Sequence, residues 1–197
     1  MNGAILAGGG ATRFEGRPKG LERVAGERIL DRLVRVFEEA LGTQPLLVAN
    51  RPDAVDWKPG LRVSADLVPG LGALGGIYTA VRSAPAPVVC VAWDMPFVTA
   101  ELLRALAHGL EGVDACLPES GGRRGMEPLC AAYGPACGSA IEQILESGDR
   151  RAIAFHHLVR VGILNDRAVS ILGDPAVLFF NVNTAEDLER AEELARS

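Results

Sequence analysis

Residues 6–19 read LAGGGATRFEGRPK. The apolar run Ala4–Ala7 leads into three consecutive glycines, and Arg13, Arg17 and Lys19 follow. The run reads as a short buried strand. Glycines directly after it let backbone N–H groups approach an anion with no Cβ in the way. Arg13 and Lys19 add charge-assisted donors. A strand, a glycine turn and cations in that order describe a phosphate cradle at the carboxyl end of a strand. Neither common cradle fits the spacing. A Walker A loop needs Lys directly after its last glycine, whereas Gly16 is followed by Arg17, Pro18 and only then Lys19. A dinucleotide fingerprint needs its third glycine where Arg13 stands.

Beyond this loop, short apolar runs alternate with helix-like segments. Strands are expected at Ala4–Ala7, Pro45–Ala49, Leu61–Ala65, Pro87–Ala92, Val113–Leu117, Leu129–Tyr133, Val159–Leu164 and Val177–Phe180. In Arg28–Leu41 the residues Ile29, Leu30, Leu33, Val36, Phe37 and Leu41 recur at helical spacing, and Gly42 stops the helix. Further helices are expected at Ala73–Ser83, Ala100–Gly109 capped by Thr99, Ala136–Glu146, Arg151–Leu158, and Thr184–Arg196 with Thr184 as cap and Asp187 three residues on. Such alternation implies one doubly wound α/β domain over residues 1–197, a mostly parallel sheet with helices on both faces. Ligands of such sheets bind outside the carboxyl ends of the strands.

Composition narrows the function classes. The 197 residues are 48% hydrophobic, enough for a large core, and carry 20 basic against 25 acidic side chains, a net charge of −5. An acidic balance argues against a non-specific nucleic-acid binder. Cys90, Cys116, Cys130 and Cys137 form no C-x-x-C pair and read as buried free thiols. Three histidines, scattered, are too few for a zinc site. With no leader pattern and no apolar run near the ~20 residues that span a bilayer, a soluble, cytoplasmic protein is expected.

Asp94 directly follows the most continuous strand, a position that suits a carboxylate presented to a nucleotide-bound cation; the plainer reading is an aspartate capping the turn before Met95-Pro96. Asn50 and Asp66 close the second and third strands, so both sit at the carboxyl edge. As residues alone, Asn50 also suits the turn before Arg51-Pro52, and Asp66 suits a solvated loop. No Ser/His/Asp or Cys/His constellation is evident, which agrees with chemistry driven by positioning and charge.

The opening loop resembles the nucleotidyltransferase signature L-A-G-G-x-x-x-R-M-G-x-x-K. It is most similar to the form in the molybdenum cofactor guanylyltransferases, within the MobA-like NTP transferase family, where Lys19-Gly20-Leu21 also matches. Phe14 and Glu15 replace the usual Met and Gly, and Pro18 stands where the family often carries Asp. Four more segments match in order. They are Asp66-Leu67 with GALGGIYTA at 72–80, CVAWDMPFV at 90–98, EPLCAAY at 127–133 and FFNVNTAEDL at 179–188.

The resemblance implies a Rossmann-like nucleotidyltransferase fold and a Mg²⁺-dependent enzyme that transfers GMP from GTP to the terminal phosphate of molybdopterin, releasing pyrophosphate. It implies catalytic roles for Arg13, Lys19 and Asp94, with Asp94 the Mg²⁺ ligand. It places Leu6, Ala7, Gly8, Gly9, Lys19, Asn50, Asp66 and Asp94 around GTP. On the acceptor side it implies Asn181 and Asn183, taken to share one face of a final strand, with Arg123, Arg124 and Glu127 nearby. The residues alone leave GTP and CTP open, and guanine rests on the resemblance. The alternatives are a cytidylyltransferase on molybdopterin, transfer to a sugar, alcohol or cobinamide phosphate, or a non-catalytic nucleotide-binding module. Transient contact with other cofactor-assembly proteins is implied, with no nucleic acid and no membrane as partners.

Overall fold

The structure, a computed structural model, describes residues 1–8, 18–84, 86–121 and 125–196. Five residues form the first strand, β1 (Asn2–Leu6), buried from Gly3 onward, and the wholly buried β6 (Val88–Ala92) lies beside it in parallel. Period-two alternation divides their side chains between two cores. Ile5, Val89 and Val91 face one, while Ala4, Leu6, Val88 and Cys90 face the other. On the far side of β1 lie β4 (Leu46–Val48) and then β5 (Val63–Ser64), both parallel. On the far side of β6 come β8 (Cys130–Tyr133), β7 (Ala115–Pro118) and β9 (Val161–Leu164). The seven-stranded order is β5-β4-β1-β6-β8-β7-β9. Among the described strands of this sheet only β8 runs antiparallel to its neighbours.

Helices cover both faces. One core receives α1 (Ile29–Leu41), α4 (Ala100–His108) and the C-terminal α8 (Ala185–Leu194); the other receives α3 (Ala73–Ser83) and α5 (Ala136–Ser147). The caps follow the sequence. Gly42 adopts φ 70° and its N–H closes on the Glu38 carbonyl, Thr99 accepts from the Leu102 N–H, and Thr184 with Asp187 forms a reciprocal capping box. Gly3 is required by contact, since a Cβ there would collide with the Phe37 ring of α1.

The structure departs from the sequence reading in five places. Val177–Phe180 is not a strand. Asp174 caps a helical turn, α7 (Pro175–Leu178), with Pro at the first position, where its missing N–H costs nothing. Arg151–Leu158 is a series of turns ending in a 3₁₀ turn, His156–Leu158. Unforeseen elements also appear: a hairpin of β2 (Arg23–Val24) and β3 (Glu27–Arg28), α2 (Ala54–Trp57) and α6 (Asp166–Leu172). In the His156–Leu158 turn the His156 ring lies edge-on to Phe155, and its Nε2 is buried with no hydrogen-bond partner among the described residues. Burial lowers its pKa to about 4.

Candidate nucleotide site

Because β5, β4, β1 and β6 are parallel, their carboxyl ends share one edge of the sheet. Two residues past each end stands a cavity-lining residue: Asp66 after β5, Asn50 after β4, Gly8 after β1 and Asp94 after β6. The strand order therefore sets Asp66, Asn50, Gly8 and Asp94 in a row. At about 4.8 Å per strand the row spans roughly 14 Å, comparable to a nucleoside triphosphate. The cavity they line has a volume of about 200 Å³. Leu6, Val48, Leu129 and Asn181 complete its walls with Gly72, Ala73 and Gly76 of the α3 N-terminal turn. Gly76 points its missing Cβ towards Leu6, so a side chain there would take up cavity space.

At one end of the row Asn50 and Asp66 are locked together. Asn50 Nδ2 donates to Asp66 Oδ2 at 2.7 Å, and the Asp66 N–H donates to Asn50 Oδ1 at 2.8 Å. Among the described hydrogen bonds Asp66 Oδ1 receives none from protein, which leaves an acceptor for a ligand donor. The loop after Asp66 is pinned to α3 by the fully buried Thr79, whose hydroxyl accepts from the Leu67 N–H at 2.9 Å.

At the other end stands Asp94, 17% exposed, with the Lys19 Nζ 3.8 Å from its Oδ2. Burial raises the Asp94 pKa, and the Lys19 charge offsets this in part. Three packing contacts place the pair. A 3₁₀ turn, Lys19–Leu21, lies so close to Trp93 that a Cβ on Gly20 would come within 2.5 Å of its ring. Trp93 stacks on Trp57 of α2 with centroids 5.1 Å apart. The Asp94 carbonyl accepts from the Val182 N–H at 2.8 Å, drawing the segment before α8 to the cavity. The next residue, Asn183, takes the Lys19 ammonium on its Oδ1 at 2.7 Å.

Asn181 lines this cavity and a second one beside it, of about 520 Å³, with Ser120, Glu127, Asp166, Phe179 and Phe180 among its walls. Glu127 is positioned by the Ser120 hydroxyl at 2.8 Å. Asn181 Nδ2 donates to the Phe179 carbonyl at 2.7 Å.

The row thus brings together Leu6, Gly8, Asn50, Asp66 and Asp94, with Lys19 alongside. Ala7 lies at the strand end with its side chain in the core, its N–H donating to the Val48 carbonyl. Asn181 and Asn183 do not share a strand face, since no strand forms there; Asn181 borders both cavities, whereas Asn183 lines neither and meets Lys19. Gly9, Arg13, Arg123 and Arg124 lie outside the described residues. Sequence reasoning did not find the Gly20–Trp93–Trp57 stack or the Thr79 pin. Thr79 carried one faint signal, a hydroxyl inside an otherwise apolar helix face.

Residues 3–161 match the MobA-like NTP transferase domain family. A probable molybdenum cofactor guanylyltransferase of Pelotomaculum thermopropionicum is 36% identical, over 99% of this chain and 93% of the relative. A molybdenum cofactor guanylyltransferase of Desulfosudis oleivorans is 33% identical, over 98% and 94%. Among solved structures, molybdopterin-guanine dinucleotide biosynthesis protein A from Archaeoglobus fulgidus superposes with a TM-score of 0.83 at 26% identity, covering 100% of this chain and 99% of that one. From its fold, its row of strand-end residues and these full-length similarities, the chain belongs to the MobA-like NTP transferase family.

Proposed function

We propose that this protein, acting as a single nucleotidyltransferase domain, transfers GMP from GTP to the terminal phosphate of molybdopterin, forming the guanine dinucleotide cofactor and pyrophosphate. The observation that carries the reading is the row at the parallel edge. Its Asp66–Asn50 end offers a fixed carboxylate, and its Asp94–Lys19 end offers the charged groups that phosphates and their counter-ion need. A carboxylate accepts from the guanine N1–H and 2-amino group, a pair that adenine and cytosine do not present. Relatives at 33% and 36% identity that bear the guanylyltransferase name support the choice of nucleotide.

The donor set fits a hard divalent cation. Asp94 is a largely buried carboxylate whose nearest cation among the described residues is beyond hydrogen-bond length, and no group of three protein ligands occurs among those residues. Mg²⁺ is content with one or two carboxylates plus phosphate oxygens and water. Bound by Asp94, it would supply countercharge to the phosphates.

Lys19 donates to phosphate oxygens, and Asn50 holds Asp66 against the base. An oxygen of the acceptor phosphate then attacks the α-phosphorus. The new P–O bond forms as the bond to the β-phosphate oxygen breaks, and pyrophosphate leaves with the electron pair. No side chain becomes covalently attached, so the protein contributes orientation and charge. The second cavity, reached past Asn181, is where we place the acceptor, with Phe179 and Phe180 offering apolar surface to a pterin ring. No helix of the described residues is long and apolar enough to cross a membrane, and all four cysteines are free. The free thiols support a reducing, cytoplasmic site of action.

The test is pyrophosphate release with molybdopterin and each nucleotide in turn. GTP is expected to outperform CTP and ATP by about tenfold or more in kcat/KM. Equal rates would remove the guanine assignment, and no release with any nucleotide would favour a binding module.

A further inference from the structure

Three distant parts of the chain converge on Asp94. Lys19 comes from the 3₁₀ turn after the opening loop, Asp94 from the end of β6, and Val182–Asn183 from the segment before α8. Val182 is tied to the Asp94 backbone, while Asn183, 164 positions from Lys19, receives the ammonium on its side-chain oxygen. Asn183 is itself fixed. Its N–H and that of Thr184 both donate to Asp187 Oδ2 at 2.8 Å, inside the α8 capping box. The amide oxygen is therefore aimed at Lys19 by the helix start. At 2.7 Å the Asn183 contact is a full hydrogen bond, whereas 3.8 Å to Asp94 is a charge contact only. Lys19 is thus held beside the carboxylate by a neutral acceptor, not by the carboxylate itself.

This geometry has a consequence for the assignment of Asp94 to a divalent cation, on which the inference rests. A 12%-exposed ammonium within 4 Å of a carboxylate repels a second cation at the same oxygens. A neutral amide holds lysine without trapping it, because a hydrogen bond to a phosphate oxygen is stronger. We propose that Asn183 is a positioning residue that docks Lys19 over Asp94, so that the lysine and the divalent cation compete for that carboxylate and exchange when phosphate oxygens arrive to take the ammonium. Asn183 then acts through Lys19, and the acceptor need not touch it.

The test uses Mn²⁺ as probe and the paramagnetic broadening of the backbone amides of residues 92–95 as readout, with and without GTP. Without nucleotide, Lys19→Met is expected to bind Mn²⁺ about fivefold more tightly than wild type, and Asn183→Ala about twofold, because the competing charge is removed or released. With GTP the Lys19→Met effect reverses, and the Mn²⁺–GTP complex binds about tenfold more weakly. Unchanged or weaker Mn²⁺ binding by Lys19→Met without nucleotide overturns the exchange, as does the absence of local broadening in both proteins. An unchanged Asn183→Ala removes Asn183 from it. Asp94→Asn, its fold checked by amide dispersion in the same spectra, is expected to abolish the broadening. Broadening that survives contradicts instead the assignment of Asp94 to the cation, and with it the ground of the exchange.

Discussion

On the β5–β4–β1–β6 side of the sheet every lining position of the row falls two residues past a strand end. On the β8–β7–β9 side the second cavity is built from connections instead: Ser120 and Glu127 lie within the link between β7 and β8, and Phe179 to Asn181 follow the turn of α7. The first arrangement inherits its spacing from hydrogen-bonded parallel register, so four residues keep a fixed order along one edge. The second has no such ruler. Its side chains are held by local bonds such as Ser120 to Glu127 and Asn181 to the Phe179 carbonyl. An elongated ligand of fixed length, such as a nucleoside triphosphate, suits the first wall, and a ring system that docks by stacking suits the second.

The largest expected effect lies at the end of the row. Replacing Asp94 by Ala should lower pyrophosphate release by about a thousandfold, the scale of losing a metal's charge stabilisation; a drop in GTP affinity with unchanged turnover would instead make it a binding residue only. Next comes the base end. Asp66→Ala should erase about tenfold of the preference for GTP over CTP, and Asn50→Ala should do nearly the same. The double variant should add little, because each residue completes the other's hydrogen bonds. Competition binding with the two nucleotides measures both effects, and additive losses would break the picture of one locked pair.

Asn181 sharpens the contrast between the two walls. Its replacement by Ala should raise KM for molybdopterin about fivefold and leave GTP affinity close to wild type, as read from steady-state kinetics and calorimetry. The reverse pattern would move Asn181 to the nucleotide wall.

The smallest effect concerns the less regular half. His156 has a folded pKa of about 4, below its unfolded value. The unfolded chain therefore binds more protons between about pH 6.5 and 4. The stability from keeping this ring neutral is fully present above that window and is lost as pH falls through it. Melting curves across pH 7 to 4 should fall more steeply for wild type than for His156→Leu, and parallel curves would contradict the burial argument.

The same division governs what could be read from sequence. In the parallel half, buried runs such as PVVCVA are bounded by turn residues, and the ligand edge follows from topology, so Asn50, Asp66 and Asp94 were legible as edge residues. The direction of β8 was not, because an apolar run has no polarity and its neighbours decide it. VLFF at 177–180 fits a strand or a helix equally by pattern; Asp174-Pro175 before it was the helix-start signal. Asn165 and Asp166 were the same kind of signal for α6. The contacts that aim Lys19, through Trp93, Trp57 and Asn183, join residues far apart in the chain and leave no local mark.

In the proposed site the strand order lays out a nucleotide from base to triphosphate. A crystal structure with GTP and Mg²⁺ tests it most directly. Guanine is expected against Asp66 and Asn50, with the triphosphate running past Gly8 to Lys19 and Asp94. Guanine at the Asp94 end, or phosphates held away from Lys19, would contradict it.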